Sequence, residues 1–439
     1  MIGCGYLGAV HAAAMASLGH DVIGIDVDTR KVHLLERGEA PFFEPGLPEL
    51  LGAGLEAGTL RFSAEMGDAR GSSVHFLAIG TPQAVSGAAD LSYLFTAVAD
   101  LLSHLQPGDL VVGKSTVPVG VAAQLAVLVE STGATLAWNP EFLREGLAIS
   151  DTLSPDRIIY GVRPDDEHSI AVLDEVYAEL LATGSPRLVM DFATAELVKV
   201  AANAFLATKI SFINAMAEIA EVVGADVGQL ADAIGHDARI GRRFLNAGLG
   251  FGGGCLPKDI RGFVARAEEL GVGDALAFLR DVDAINLRRR DRVVELTRAE
   301  LGGDVLSRAV AVLGLAFKPD SDDVRDSPAL EVAKRLAGDG AIVTATDPHA
   351  IETARRLAPD LSYTDDIHDA LRGADVVLLL TEWRQFVELD PEVVGELVAA
   401  RTIIDARGCL DRQRWTSAGW RVVTLGRAVP APVTQLAAH

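Results

Sequence analysis

Apolar and polar positions divide the chain into three regimes. From residue 1 to about 190, short apolar, β-branched runs alternate with stretches of helical spacing. The runs "DVIGIDV" (21–27), "SVHFLAIGTP" (73–82), "GDLVVGKSTVP" (108–118), "ATLAWNPEF" (134–142) and "DRIIYGV" (156–162) read as buried strands ending in polar loops. That rhythm predicts a mostly parallel, doubly wound sheet. From 191 to about 295 strand patterns vanish. "DFATAELVKVAANAFLATKISFINAMAEIAEVVG" (191–224) predicts one long helix, apolar on more than one side and capped by Gly224. Such a helix suits a linker and a dimer core. From 296 to 439 alternation returns with "AVAVLGLAF" (309–317), "AIVTATDP" (341–348), "ADVVLLLTEW" (374–383), "RTIIDARG" (401–408) and "WRVVTLG" (420–426), a second doubly wound sheet. The expected fold is therefore α/β, two Rossmann-like domains (1–190 and 296–439) joined by a helical segment (191–295).

The opening "MIGCGYLG" holds a G-x-G-x-x-G at Gly3, Gly5 and Gly8. Such a turn follows a strand and lets a helix N-terminus face a pyrophosphate. An Ala-rich helix follows it, and the next strand ends in Asp26, spaced to reach adenosine ribose hydroxyls. An acid there favours NAD over NADP, and Arg30 and Lys31 weaken that preference only slightly. The turn lacks most of its strand, since only Met1 and Ile2 precede it. The second sheet's first turn reads "GLAFKP", which predicts a different ligand.

Composition narrows the possibilities. The chain has 439 residues, too many for one core, and a formal charge of −22 that opposes nucleic acid as a partner. Three scattered cysteines (Cys4, Cys255, Cys409) make neither a disulfide framework nor a zinc site, so no metal is expected. They suit a reducing cytoplasm. The start does not pattern as a signal peptide, and no run of about 18 uninterrupted apolar residues predicts a membrane span.

The stretch "GLGFGGGCLPKDI" (248–260) sets Cys255 after a run of glycines and before Lys258 and Asp259. A glycine-rich polar loop is a poor place to bury a thiol, which favours a nucleophile over a structural cysteine. Lys199 and Asn203, four apart in an apolar helix, share one face and need partners there. Glu141 and Glu145 in "NPEFLREG" stand at a strand mouth, where a solvated capping pair is the plainer reading. A nucleophilic thiol beside a nicotinamide points to oxidation of an aldehyde to a carboxylate, because adding the thiol to the carbonyl precedes the second hydride loss.

The ordered motifs "GCGYLG", "FFEPGLPELL", "GTP", "KSTVPVG", "NPEFLREG", "KVAANAFLATKISFINAMAEI", "GFGGGCLPKD" and "GLAFKPDSDDVRDSPAL" resemble the UDP-glucose/GDP-mannose dehydrogenase family over nearly the whole chain. The resemblance implies a four-electron oxidation of a nucleotide sugar's 6-hydroxymethyl to carboxylate with two NAD and one water. It implies Cys255 as nucleophile, Lys199 and Asp259 ordering water and shuttling protons, and Asn203 stabilising an oxyanion. Thr116 and Glu145 would surround the catalytic water, and Glu141 would serve thioester hydrolysis. NAD would meet Gly3, Gly5, Tyr6, Leu7, Gly8, Asp26, Lys31, Thr81, Thr116, Glu145, Lys258 and Arg325. The sugar nucleotide would meet Glu141, Phe142, Leu143, Lys199, Asn203, Phe244, Phe251, Gly252, Lys318 and Arg407, with Arg239 reaching across from a neighbouring subunit of a homodimer or higher homo-oligomer. "RIGRRFLNAGLGFGG" resembles the UDP-glucose branch, although Gly254 stands where serine is common and Asn246 where lysine is frequent.

Members of this family begin with a fuller first strand, so the front of the chain is expected to be clipped within it. Its loss from the middle of the sheet would strand neighbouring backbone groups at about 1–3 kcal/mol for each buried one. Poor folding or weak NAD binding is the expectation, cured by restoring upstream residues. Alternatives to UDP-glucose oxidation are a GDP-mannose or other nucleotide-sugar 6-dehydrogenase, a non-catalytic NAD- and nucleotide-sugar-binding sensor, and a two-electron 3-hydroxyacid dehydrogenase. The last has no use for Cys255.

Overall fold

A computed structural model of the chain describes residues 1–84 and 87–428. The first sheet is built from β1 (Val22–Ile25), β2 (Leu60–Ser63), β3 (Val74–Leu77), β4 (Leu110–Gly113), β5 (Thr135–Trp138), β6 (Ile158–Gly161) and β7 (Arg187–Met190). β3 to β7 run side by side in chain order, and β1 pairs with β2. All pairs are parallel except β5 with β6, which meet antiparallel at Trp138 and Gly161.

The two parts of this sheet meet through the residues before the first glycine. Ile2 bridges Ile25 on one side and Leu77 on the other. Its N–H donates to the Phe76 carbonyl at 2.7 Å, its carbonyl accepts from Ala78 at 2.8 Å, and the Met1 carbonyl accepts from Ile25 at 2.7 Å. Those bonds place Met1 and Ile2 in the first-strand position of the order β2-β1-(1–2)-β3-β4-β5, the doubly wound pattern expected from sequence.

The second sheet comprises β8 (Ala309–Leu313), β9 (Ile342–Thr346), β10 (Ser362–Tyr363), β11 (Val376–Leu379), β12 (Thr402–Asp405) and β13 (Arg421–Thr424). Its order is β10-β9-β8-β11-β12-β13, all parallel, so it repeats the same winding. Strands covered on both faces need apolar residues at every position. β11 ("VVLL") is buried along its whole length.

After β7 and well before β8 in the chain comes the long helix Phe192–Val223. It ends where Gly224 adopts φ +76°, and the N–H groups of Gly224 and Ala225 both reach the Ala220 carbonyl at 3.0 Å. Although no uninterrupted apolar run predicted a span, this helix is long and apolar enough by length and composition to cross a membrane. Its buried polar residues mark it instead as a core helix. Ser211 donates to the Val282 carbonyl at 2.7 Å, and Asn214 accepts from Gly248 at 2.9 Å.

The chain folds into two compact units, one of Met1–Asn203 with Lys258–Leu276 and one of Ala204–Pro257 with Ala277–His439. It passes between them inside the long helix, inside helix Leu256–Glu269, and before helix Phe278–Glu300.

Candidate active site

In the first unit the glycine turn leads into helix Tyr6–Ser17. Gly3 has φ +84°, and a Cβ on Gly8 would lie 1.8 Å from the Gly3 carbonyl oxygen, so both positions require glycine. The helix N-cap, Gly5, has no side-chain cap, and a Cβ placed on it would meet nothing within 4 Å. Such a bare helix start can receive a pyrophosphate. Asp26 at the end of β1 is buried and accepts from Cys4 N–H at 2.8 Å, Asp28 N–H at 3.0 Å and Lys31 Nζ at 2.7 Å. A carboxylate offers about four lone-pair sites, so one remains for a ribose hydroxyl. The turn and Asp26 thus fit a dinucleotide.

A second cluster lies where β4 and β5 end. Glu141 Oε1 stands 3.4 Å from Lys199 Nζ, and its other oxygen accepts from the Leu143 N–H. The Phe142 ring lies 5.4 Å from Lys199 Nζ and 3.8 Å from the Arg157 guanidinium. Asn203, one turn beyond Lys199, donates through Nδ2 to Asp259 Oδ2 at 2.6 Å, while Lys258 Nζ holds Asp259 Oδ1 at 2.6 Å. Thr116, Lys258 and Asp259 line a cavity with Val200, Phe263 and Arg266. Thr81 braces it from behind, its hydroxyl donating to the Thr116 carbonyl at 2.8 Å. Lys199 thus meets Glu141, and Asn203 meets Asp259 and Lys258 beside the Thr116 cavity. Leu7, in helix Tyr6–Ser17, and Glu145, in the loop after β5, are half-buried.

Beneath that cluster lies a group the sequence did not flag. Lys114, at the end of β4, is buried, and its Nζ donates to Asn139 Oδ1 at 2.8 Å beside the Tyr177 hydroxyl. Burial pushes this lysine down to about 8, with Glu141 raising it and Lys199 lowering it further. Its unfolded value is 10.5, so below pH 8 the folded chain carries the full penalty of a buried charge. Between pH 8 and 10.5 the unfolded chain binds more protons, and stability rises with pH. Lys114→Met is expected to stabilise the chain by about 2 kcal/mol at pH 7 and to flatten that rise. Urea denaturation at pH 7, 8 and 10 measures both.

In the second unit Cys255 is exposed and immediately precedes helix Leu256–Glu269. Asp259 follows it by four residues, one turn into that helix. A helix N-terminus favours a thiolate. Burial pushes the Cys4 thiol up to about 12, and burial with Asp405 and Glu382 raises that of Cys409. The loop before Cys255 is pinned at three residues. Phe251 N–H donates to Asn286 Oδ1 at 2.7 Å, Gly253 N–H to the Arg325 carbonyl at 2.9 Å, and Gly254 N–H to Asp323 Oδ2 at 3.2 Å. Asp323 also grips the Arg325 guanidinium, at 2.9 and 2.8 Å. A Cβ on Gly254 would lie 2.3 Å from that guanidinium carbon, so a serine here requires the exposed Arg325 side chain to swing aside. Gly252 and Phe251 are buried within this loop.

Arg407 draws three loops together. Its Nε donates to the Leu380 carbonyl at 2.7 Å, Nη1 to Gly250 at 3.1 Å and Nη2 to Phe317 at 3.1 Å. Asp405 fixes its backbone by accepting from Arg407, Gly408 and Leu410 N–H at 3.1, 2.8 and 2.9 Å. Lys318 Nζ lies 5.5 Å from the Phe317 ring centroid. Asp347 holds the position in this sheet that Asp26 holds in the first, and the chain's own N–H groups fill it, from Leu315, Ala316, His349, Ala350 and Trp383. Five donors leave this carboxylate no lone-pair site for a ribose hydroxyl, unlike Asp26. Arg239 is exposed and bidentate on Asp237, and Phe244 adopts the left-handed φ of +65°, a strained state for a bulky residue. Among the described residues no cluster of His, Cys, Asp and Glu could hold a metal.

The chain is similar to known proteins over nearly its whole length. Residues 1–181 match the NAD binding domain of the UDP-glucose/GDP-mannose dehydrogenase family, 193–288 its central domain, and 311–412 its UDP binding domain. The UDP-glucose 6-dehydrogenase of Rhizobium meliloti (strain 1021) is 40% identical over 97% of this chain and 99% of its own. One from Bacillus subtilis (strain 168) is 38% identical over 98% of both. The structure of a UDP-glucose dehydrogenase from Pyrobaculum islandicum superposes with a TM-score of 0.88 at 38% identity, covering 97% of each chain. The cofactor of the glycine turn is accordingly NAD. This chain belongs to the UDP-glucose/GDP-mannose dehydrogenase family.

Proposed function

We propose that the protein oxidises UDP-glucose to UDP-glucuronate through a covalent bond between Cys255 and C6 of the sugar. The observation that carries this reading is an exposed cysteine at a helix start, one turn before the buried carboxylate that Asn203 and Lys258 hold. The glycine turn and Asp26 would hold NAD, which would supply the hydride acceptor for each of the two oxidations at C6. The C6 hydroxyl gives up its proton as the first hydride leaves, and Lys199 with Asp259 receives it. The Cys255 thiolate then adds to the aldehyde carbon, forming the C–S bond. Asn203 Nδ2 has two N–H donors; one is engaged with Asp259, and the other steadies the oxygen of the adduct. Loss of the second hydride leaves a thioester. Glu141, partnered by Lys199, activates the water whose oxygen replaces sulfur on the acyl carbon, and the thiol leaves with a proton. Thr116 and Glu145 order that water. Phe142, Leu143, Phe251, Gly252, Lys318 and Arg407 hold the sugar nucleotide.

Incubating the protein with NAD and UDP-glucose tests this. Two NADH and one UDP-glucuronate per sugar support it. No NADH would favour a binding protein, and turnover with GDP-mannose alone would move the substrate assignment.

The 191–295 segment is read as the dimerisation region. Phe205, Phe212 and Ile219 recur every seven residues along the long helix and are 67%, 48% and 54% exposed. Such a stripe suits a second copy of the same helix. Phe205→Asp with Phe212→Asp should halve the molecular mass seen by light scattering, and an unchanged mass rejects this surface.

A further inference from the structure

Glu44 lies in the loop ahead of helix Leu47–Ala57 and is 2% exposed, yet it plays no part in the chemistry above. An ionised carboxylate is costly to bury unless donors surround it. Here they come from two distant segments. Tyr6, the first residue of the helix behind the glycine turn, donates its hydroxyl to Oε2. Gly146 N–H donates to the same oxygen at 2.6 Å, and Ala148 N–H donates to Oε1 at 2.8 Å. Gly146 also approaches the Tyr6 hydroxyl oxygen, at 3.2 Å. Helix Ala148–Leu153 has no cap from its own N-cap residue, Leu147, so the distant Glu44 supplies it. Phe42, two residues before Glu44, packs its ring against Tyr6 with centroids 4.8 Å apart.

We infer that Glu44 is a positioning residue for the proposed oxidation, its buried carboxylate tying the dinucleotide turn at Tyr6 to the loop that carries Glu141 and Glu145. That role rests on the reading of those glutamates given above. The geometry supplies the reason. Gly146 follows Glu145 directly, so the peptide that aims Glu145 is the one bonded to Glu44. Tyr6 lies beside the helix start that receives the pyrophosphate. Moving one end displaces the other, because both compete for the same oxygen atom. Burial, followed by the bond to Glu44, raises the Tyr6 phenol, which keeps it a donor throughout the working pH range.

Three full-length variants test this: Glu44→Gln, Tyr6→Phe and the double substitution. Glu44→Gln should weaken NAD binding about tenfold and lower kcat about tenfold, with KM for UDP-glucose moving less than about twofold. The double variant should be no worse than Glu44→Gln alone, because both break one unit. Amide exchange at Gly146 and Ala148 should quicken in Glu44→Gln. A purely structural role would lower melting temperature but leave NAD affinity and kcat per folded molecule unchanged, which overturns the inference. So would additive losses in the double variant. Should Glu44→Gln not fold, Tyr6→Phe decides: faster exchange at Gly146 with weaker NAD binding supports the tie, and neither change refutes it. NAD affinity and exchange are read without sugar, so they stand even if the chain oxidises another substrate.

Discussion

Cys255→Ala is expected to lower production of UDP-glucuronate by about four orders of magnitude while NAD affinity stays within about twofold of the parent. The effect is large because the thiol does what no neighbour can. An aldehyde gives up a hydride readily only after a nucleophile has added to its carbon, and water competes poorly with a thiolate at a helix start. Cys4 cannot substitute, since burial holds its thiol at about 12. Cys409 is likewise held protonated by burial and by the acids beside it. NAD affinity is spared because Gly3, Gly8 and Asp26 belong to the other compact unit. Steady-state assay of the acid product and a fluorescence titration with NAD measure the two quantities.

Arg407→Ala is expected to be the next most severe, lowering stability by about 4 kcal/mol and raising KM for UDP-glucose about a hundredfold. The stability loss follows from its three bonds to the carbonyls of Gly250, Phe317 and Leu380. Removing a charged donor from several buried acceptors leaves each without its partner, at about 1–3 kcal/mol apiece before relaxation. The binding loss follows twice over. A positive charge leaves the proposed sugar-nucleotide site, and the Gly250 loop that leads to Cys255 loses its anchor. Arg407→Lys keeps the charge but not the planar fork, so it should recover little stability and only part of the affinity. Urea denaturation and KM for UDP-glucose, run on both variants, separate the two contributions.

Much of the fold was legible because parallel strands buried on both faces show as unbroken apolar runs. β4, β5, β6, β11 and β12 all fall inside runs read from the sequence. β2 and β7 did not show. β7 ("RLVM") is a sheet edge whose first three residues are exposed, and β2 ("LRFS") alternates over only four positions. β10 is two residues long. Such edges carry too little burial to pattern the chain.

Candidate residues stood out in the sequence where polar groups fall in apolar or glycine-rich settings, as at Lys199, Asn203 and Cys255. Glu44, Lys114, Asp323, Asp347 and Asp405 were missed, because what distinguishes them is the number of donors folding brings to a carboxylate or the depth at which an ammonium is buried. Lys114 left one trace, a lone cation closing the apolar run "LVVGK". Arg407 was read as a hand for substrate, yet its guanidinium also braces the loops around it.

The central claim is that sulfur joins carbon during turnover. Mass spectrometry of Glu141→Gln, quenched during the first turnover with NAD and UDP-glucose, tests it directly. Slowed hydrolysis should leave the UDP-glucuronyl acyl group on the peptide that contains Cys255, in step with two NADH formed. NADH released with Cys255 unmodified throughout would contradict it.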